Sequence, residues 1–98
     1  MLKDFDPNQK FDIIYEELYS YICTRDNYVC QICGKQGSEL HHIEMKSEGG
    51  KNFANNLILL CPMCHRGQDG IHGKTTVSKY FLKERVINNE KKLRENLI

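Results

Sequence analysis

Two Cys-x-x-Cys pairs, Cys30-Gln31-Ile32-Cys33 and Cys61-Pro62-Met63-Cys64, constrain this chain more than any other feature, because 27 residues separate them. A Cys-x-x-Cys turn presents two sulfurs to one tetrahedral ion, and two such turns complete a four-thiolate shell. The intervening segment must then double back so that its ends meet. A chain of 98 residues buries a modest fraction of its surface and gains from such a staple. Four thiolates accept iron, but zinc is the default in so small a fold. Each thiol must lose its proton to bind, so metal binding and folding are coupled. Cys23 lies outside both pairs and is expected to be a buried core thiol.

Disulfides are the competing use of cysteine. The count is odd, at five, and the N-terminal residues Met1 to Asp6 have no apolar signal-peptide core. A reducing compartment is therefore expected, with a cytoplasmic location. The longest apolar run, Leu57 to Cys61, is five residues, far below membrane-spanning length. Net charge is +1, but residues 74–98 carry seven Lys/Arg against three Asp/Glu. That basic end is either a phosphate-contacting surface or a solvated helix face.

The remaining segments read as a small α+β unit. Asp6-Pro7 has the form of a helix start, and Phe11, Ile14, Tyr15, Leu18 and Ile22 follow at helical spacing. Cys33-Gly34 has the form of a zinc knuckle, with glycine allowing the bend. Residues 38–45 read as a short strand, 47–52 as a loop, and 56–60 as a second strand. Pro62 marks a helix start. Thr75 or Thr76 is expected to cap a last helix whose apolar seam is Val77, Tyr80, Phe81, Val86, Leu93 and Leu97.

Between the cysteine pairs stand His41-His42 and Asn55-Asn56, and His65 follows Cys64 directly. Four thiolates fill one site, so the histidines are left for another. Adjacent strand residues point to opposite faces, which suits two different tasks for His41 and His42. A divalent ion held by two protein ligands keeps positions open for phosphate oxygens and water. A free histidine, titrating near neutrality, can then deprotonate water for in-line attack on phosphorus.

These residues carry a resemblance. His41-His42-Ile43, Gly49-Gly50, Asn56-Leu57 and Leu60-Cys61-x-x-Cys64-His65, preceded by Arg25 to Gly34, resemble the HNH endonuclease family in its four-cysteine zinc subgroup. The segment Cys64 to Gly73 is similar to small HNH proteins of phages and mobile elements, which implies a bacterial cell or phage-infected host. The resemblance implies a ββα-metal fold with a motif core at 25–73 and a zinc-knuckle staple. It is expected to form a single domain over 1–98, with flanking helices at about 7–24 and 75–97. It further implies His41 and His65 as ligands of a catalytic divalent metal (Mg²⁺, Mn²⁺, or a transition metal such as Ni²⁺ or Zn²⁺). His42 would be the general base, and Asn56 the motif asparagine that orders the loop and helps orient the base. Cys30, Cys33, Cys61 and Cys64 would hold the structural zinc. His72 matches an additional C-terminal histidine, a metal ligand or a contact to the scissile phosphate. Two departures are evident: Met45 stands where many relatives have proline, and His72 lies further from His65 than in the broader superfamily's H-x3-H.

The expected function is metal-dependent hydrolysis of DNA, double-stranded DNA above all, by a monomer or homodimer without a membrane partner. So short a chain leaves little room for sequence recognition, so low specificity or targeting by a protein partner is expected. The alternative is a noncatalytic zinc module that binds nucleic acid, which would not need His41 and His42 together. His42-Ile43-Glu44 also fits the H-x-E of zinc deaminases, but their cysteine pair has proline directly before it. Here Leu60 takes that place, and Glu44 is expected on the surface.

Overall fold

The computed structural model describes residues 15–68, 70–73 and 77–96. The elements are α1 (Tyr15–Arg25), β1 (Glu39–His42), β2 (Leu57–Leu60), α2 (Pro62–Arg66) and α3 (Lys79–Asn96). The expected helix start at Asp6-Pro7, with Phe11 and Ile14, lies outside the described residues, as do Thr75, Thr76 and Leu97. Among the described residues no helix is long and apolar enough to cross a membrane.

β2 is the centre of the fold. All four of its residues, Leu-Ile-Leu-Leu, are buried. Alternation along the strand sends Leu57 and Leu59 to one side, where they pack with Leu18, Tyr21 and Ile22 of α1. Ile58 and Leu60 go to the other side, with Ile43 and with Leu82 and Val86 of α3. A continuous apolar run is thus a strand covered on both faces, here by two helices.

β1 pairs antiparallel with β2, with Glu39 opposite Leu60, Leu40 opposite Leu59, His41 opposite Ile58 and His42 opposite Leu57. Directly opposed residues share a face. Glu39 and His41 therefore lie on the Ile58/Leu60 side, while Leu40 and His42 lie on the α1 side. Asn56 clasps the connection between the strands. Its Oδ1 accepts from the Glu44 amide at 2.8 Å, and its Nδ2 donates to the carbonyls of Glu44 at 3.2 Å and Lys51 at 3.0 Å.

α2 starts as expected, with Pro62 in its first turn and Cys61 as N-cap. The chain then turns back, and the amides of Ile71 and His72 bond to the carbonyls of Cys64 and His65 at 2.7 and 3.0 Å. Gly70 makes this possible, since a Cβ there would run into the Met63 and Cys64 carbonyls.

α3 departs from expectation. It begins at Lys79, and its cap is Ser78, whose Oγ accepts from the Phe81 amide at 3.1 Å. The buried seam is Leu82, Val86 and Glu90, one residue per turn. Tyr80 and Phe81, expected in the seam, are 73% and 44% exposed. At 100° per residue they fall away from the stripe that Leu82 and Val86 define.

Glu90 is a carboxylate in an otherwise apolar stripe because Arg25 meets it. The Arg25 guanidinium spends its donors on Asp26 (2.8 and 3.0 Å), Ala54 O (2.7 Å), Leu57 O (2.6 Å) and Glu90 (3.3 Å). Asp26 in turn accepts from the Leu59 amide at 2.9 Å and from Asn89 at 3.0 Å. One buried cation thus ties α1, β2, the loop before β2, and α3. Arg25→Met keeps the stem and leaves Asp26 and Glu90 without their cation. The expected destabilisation is about 3–5 kcal/mol, seen as a lower urea midpoint at unchanged slope. A midpoint matching the wild type would remove the network from the stability of the fold.

Candidate metal centres

The two cysteine pairs meet. The sulfurs of Cys30, Cys33, Cys61 and Cys64 all lie within 4.8 Å of one another, and Cys33 and Cys61 are 3.7 Å apart. Gly34 turns the first knuckle at φ +81°, a left-handed geometry that glycine adopts without strain. In the second knuckle the Cys64 amide points at the Cys61 sulfur at 3.4 Å. Burial pushes the Cys30 thiol up, but the backbone groups of Cys33, Cys61 and Ile32 outweigh it and bring the thiol down to about 7. Burial and the neighbouring thiols drive Cys64 well upward instead. Four thiols this close cannot all ionise unless a cation sits among them, and the donor set is that of a structural zinc site. Cys23 is buried in the α1 core, away from the cluster.

The second cluster is His41, His65 and His72, again with donor nitrogens within 4.8 Å of one another. Their ring centroids are 5.3, 5.1 and 4.7 Å apart, and the Nε2 atoms of His65 and His72 face each other at 3.0 Å. His41 is buried, and its Nδ1 has no hydrogen-bond partner. Burial, then the neighbouring His65, His72 and His42, push the His41 imidazole down to about 4. Burial and His65 lower His72 as well. Three imidazoles whose donor nitrogens gather around one point, with a buried orphaned nitrogen on His41, fit a metal ion.

The cradle has outer support. The Glu39 carboxylate lies 2.8 Å from His65 Nδ1 and accepts from Arg66 Nε at 3.1 and 3.0 Å. His65 and then Arg66 hold the Glu39 carboxyl below the usual range. A carboxylate only accepts, so His65 Nδ1 carries the proton and Nε2 keeps its lone pair for the cradle. Sequence reasoning passed over Glu39, although strand alternation from His41 would have put it on the same face.

His42 stands outside the cradle, as alternation requires, with its Nε2 2.8 Å from Asn52 Oδ1. Even so, a recess of about 290 Å³ is lined by His41, His42, His65 and His72 together with Met45 and Lys46. A larger cavity of about 440 Å³, between the 44–51 loop and α3, contains none of these histidines. Asn56 spends its carboxamide on the loop backbone; the side chain that meets His42 is that of Asn52, a loop position with no signal in the sequence. Glu44 is on the surface as expected, paired with Lys83 at 2.9 Å and Lys79 at 3.4 Å.

An antiparallel strand pair leading into a short helix, with one donor cluster across the sheet and helix and another at their base, is the ββα-metal arrangement. Residues 30–69 match the family model described as HNH endonuclease. Over that segment the chain is similar to HNH endonucleases. Among known proteins, it is 32% identical over 57 residues to the Type IV methyl-directed restriction enzyme EcoKMcrA of Escherichia coli, covering 48% of this chain and 21% of that one. It is 38% identical over 42 residues to Anaredoxin of a Nostoc species, covering 41% of this chain and 55% of the relative. The chain thus spans about a fifth of the first relative and about half of the second. No solved structure matches it. The HNH domain match takes in both cysteine pairs, His41, His42, Asn56 and His65, and ends before His72.

Proposed function

We propose that the protein is a metal-dependent endonuclease that hydrolyses DNA phosphodiester bonds. The observation that carries this reading is the recess in which a three-histidine cradle and a fourth, separately held histidine line one space. The similarity to a restriction enzyme supports DNA as the substrate.

His41, His65 and His72 would hold the catalytic ion, which when bound supplies Lewis-acid stabilisation of charge at the phosphate and the leaving oxygen. Three imidazoles suit a transition metal better than Mg²⁺, which prefers oxygen ligands. His42 takes the proton from a water as the water attacks phosphorus in line. Asn56 fixes the loop that borders the recess. Glu39 holds His65 with Nε2 directed at the cradle. His41, His65 and His72 would hold the ion through imidazole nitrogens and so would add no negative charge facing the phosphodiester.

The test is cleavage of supercoiled plasmid by the purified protein with Mg²⁺, Mn²⁺, Ni²⁺ or Zn²⁺, against EDTA and against His42→Ala. Metal-dependent nicking that His42→Ala lacks is the expected result. If neither protein cleaves while the folded chain still binds DNA, the noncatalytic binding module replaces the nuclease. Glu39 supplies a separate check. Glu39→Ala frees the His65 ring to rotate and to change tautomer. Affinity of the cradle for Ni²⁺, measured by titration calorimetry on zinc-loaded protein, is expected to fall about 10–100-fold. Unchanged affinity would mean that Glu39 merely binds Arg66.

A further inference from the structure

The motif asparagine, Asn56, spends its carboxamide on the backbone of Glu44 and Lys51 rather than on His42. Asn52 sits half-buried in the loop between β1 and β2, and its Oδ1 is 2.8 Å from His42 Nε2. We propose that Asn52 is a positioning residue that locks His42 in the Nε2–H tautomer, leaving Nδ1 as the atom that receives the proton from water. The catalytic half of this inference rests on the nuclease reading above.

The chemistry of the pair dictates the tautomer. An amide oxygen only accepts, so the nitrogen that faces it must carry hydrogen. A neutral imidazole has one N–H and one lone pair, and the bond made by one nitrogen assigns the other. With Nε2–H directed at Asn52, the basic lone pair is on Nδ1. The opposite tautomer would break the bond to Asn52 and place hydrogen on the atom that should accept it.

The loop explains how so short a side chain is held in place. Asn56 Nδ2 donates to the Lys51 carbonyl, the group directly before Asn52, at 3.0 Å. The same carboxamide pairs with Glu44, two residues past His42. The Gly50 amide bonds back to Met45 at 2.8 Å. The motif asparagine therefore fastens both segments that bear the His42–Asn52 pair without touching the base. Asn56 acts on His42 through Asn52.

Histidine ¹⁵N spectra of the zinc-loaded protein at about pH 8, where an ordinary imidazole is neutral, read the tautomer without reference to activity. The expected result is an Nε2–H ring for His42 in the wild type and a tautomer mixture in Asn52→Leu. Plasmid nicking should follow, with kcat down about 10–100-fold in Asn52→Leu and KM changed less than about threefold. Asn52→Asp keeps the accepting oxygen and should restore both the tautomer and most of kcat. An Nδ1–H ring in the wild type overturns the proposal, as does an unchanged tautomer in Asn52→Leu. A loss of kcat that Asn52→Asp fails to restore overturns it too. Cleavage that survives His42→Ala would remove His42 from the role of base, whereas a wild type that binds DNA without cleaving it would sink the nuclease reading, and in either case the spectra would still decide the tautomer lock.

Discussion

Cys30→Ser is expected to leave the chain unfolded at room temperature. Structural zinc sites of this donor class contribute on the order of 10–16 kcal/mol of apparent binding energy at neutral pH. The whole net stability of a small domain is about 5–15 kcal/mol. Loss of the ion therefore removes an amount comparable with all the stability there is. Geometry makes the loss global. The first knuckle leads into β1, the second ends β2 and caps α2, and Cys30 and Cys61 are themselves part of the core on the α3 side. With the sulfurs unbridged, three thiols and a serine hydroxyl would crowd one pocket where burial already drives Cys64 upward. Far-UV circular dichroism with metal analysis checks this. Wild type should hold one tightly bound zinc that survives mild chelation. Cys30→Ser should lack that zinc and show no cooperative melting. A variant that melts cooperatively near the wild-type temperature would show that the cysteine site is not the staple.

That much was legible in the sequence because a four-thiolate site is a local pattern repeated twice, and its ligand spacing survives any detail of packing. The histidines were legible for a related reason. Strand alternation separates His41 from His42, and His65 is fixed by its place after Cys64 on a helix that Pro62 starts. Legibility failed where a partner is far away in sequence. The burial of Glu90 is inexplicable along α3 alone and follows only when Arg25 arrives from α1. Tyr80 and Phe81 look like core residues until Leu82 and Val86 set the angular position of the stripe. The cap of α3 is Ser78, directly before the helix begins at Lys79, and nothing in the sequence pattern marks it. Glu39 and Asn52, which hold His65 and His42, belong to no motif. Each matters through a single hydrogen bond that only the folded chain creates.

His42→Ala is expected to lower plasmid cleavage by about 10²–10⁴-fold, the range for removing a positioned general base. The substitution should leave the metals alone. His42 lies on the opposite face of β1 from His41 and is absent from the three-histidine cluster, so Ni²⁺ affinity and zinc content should match the wild type. Stability should change little, because the ring is half-buried and outside both core clusters. His41→Ala is the informative contrast. It removes a buried imidazole of the cradle, so its loss of cleavage should be accompanied by weakened Ni²⁺ binding and partly recovered at high metal concentration. His42→Ala should show no such recovery, since extra metal cannot replace a proton acceptor. The pair of variants therefore separates two causes of inactivity that a single dead mutant would confuse. Cleavage by His42→Ala within about tenfold of wild type would remove His42 from the role of base. If its loss were recovered by added Ni²⁺, His42 would be a metal ligand, and the division of labour between the two faces of β1 would be wrong.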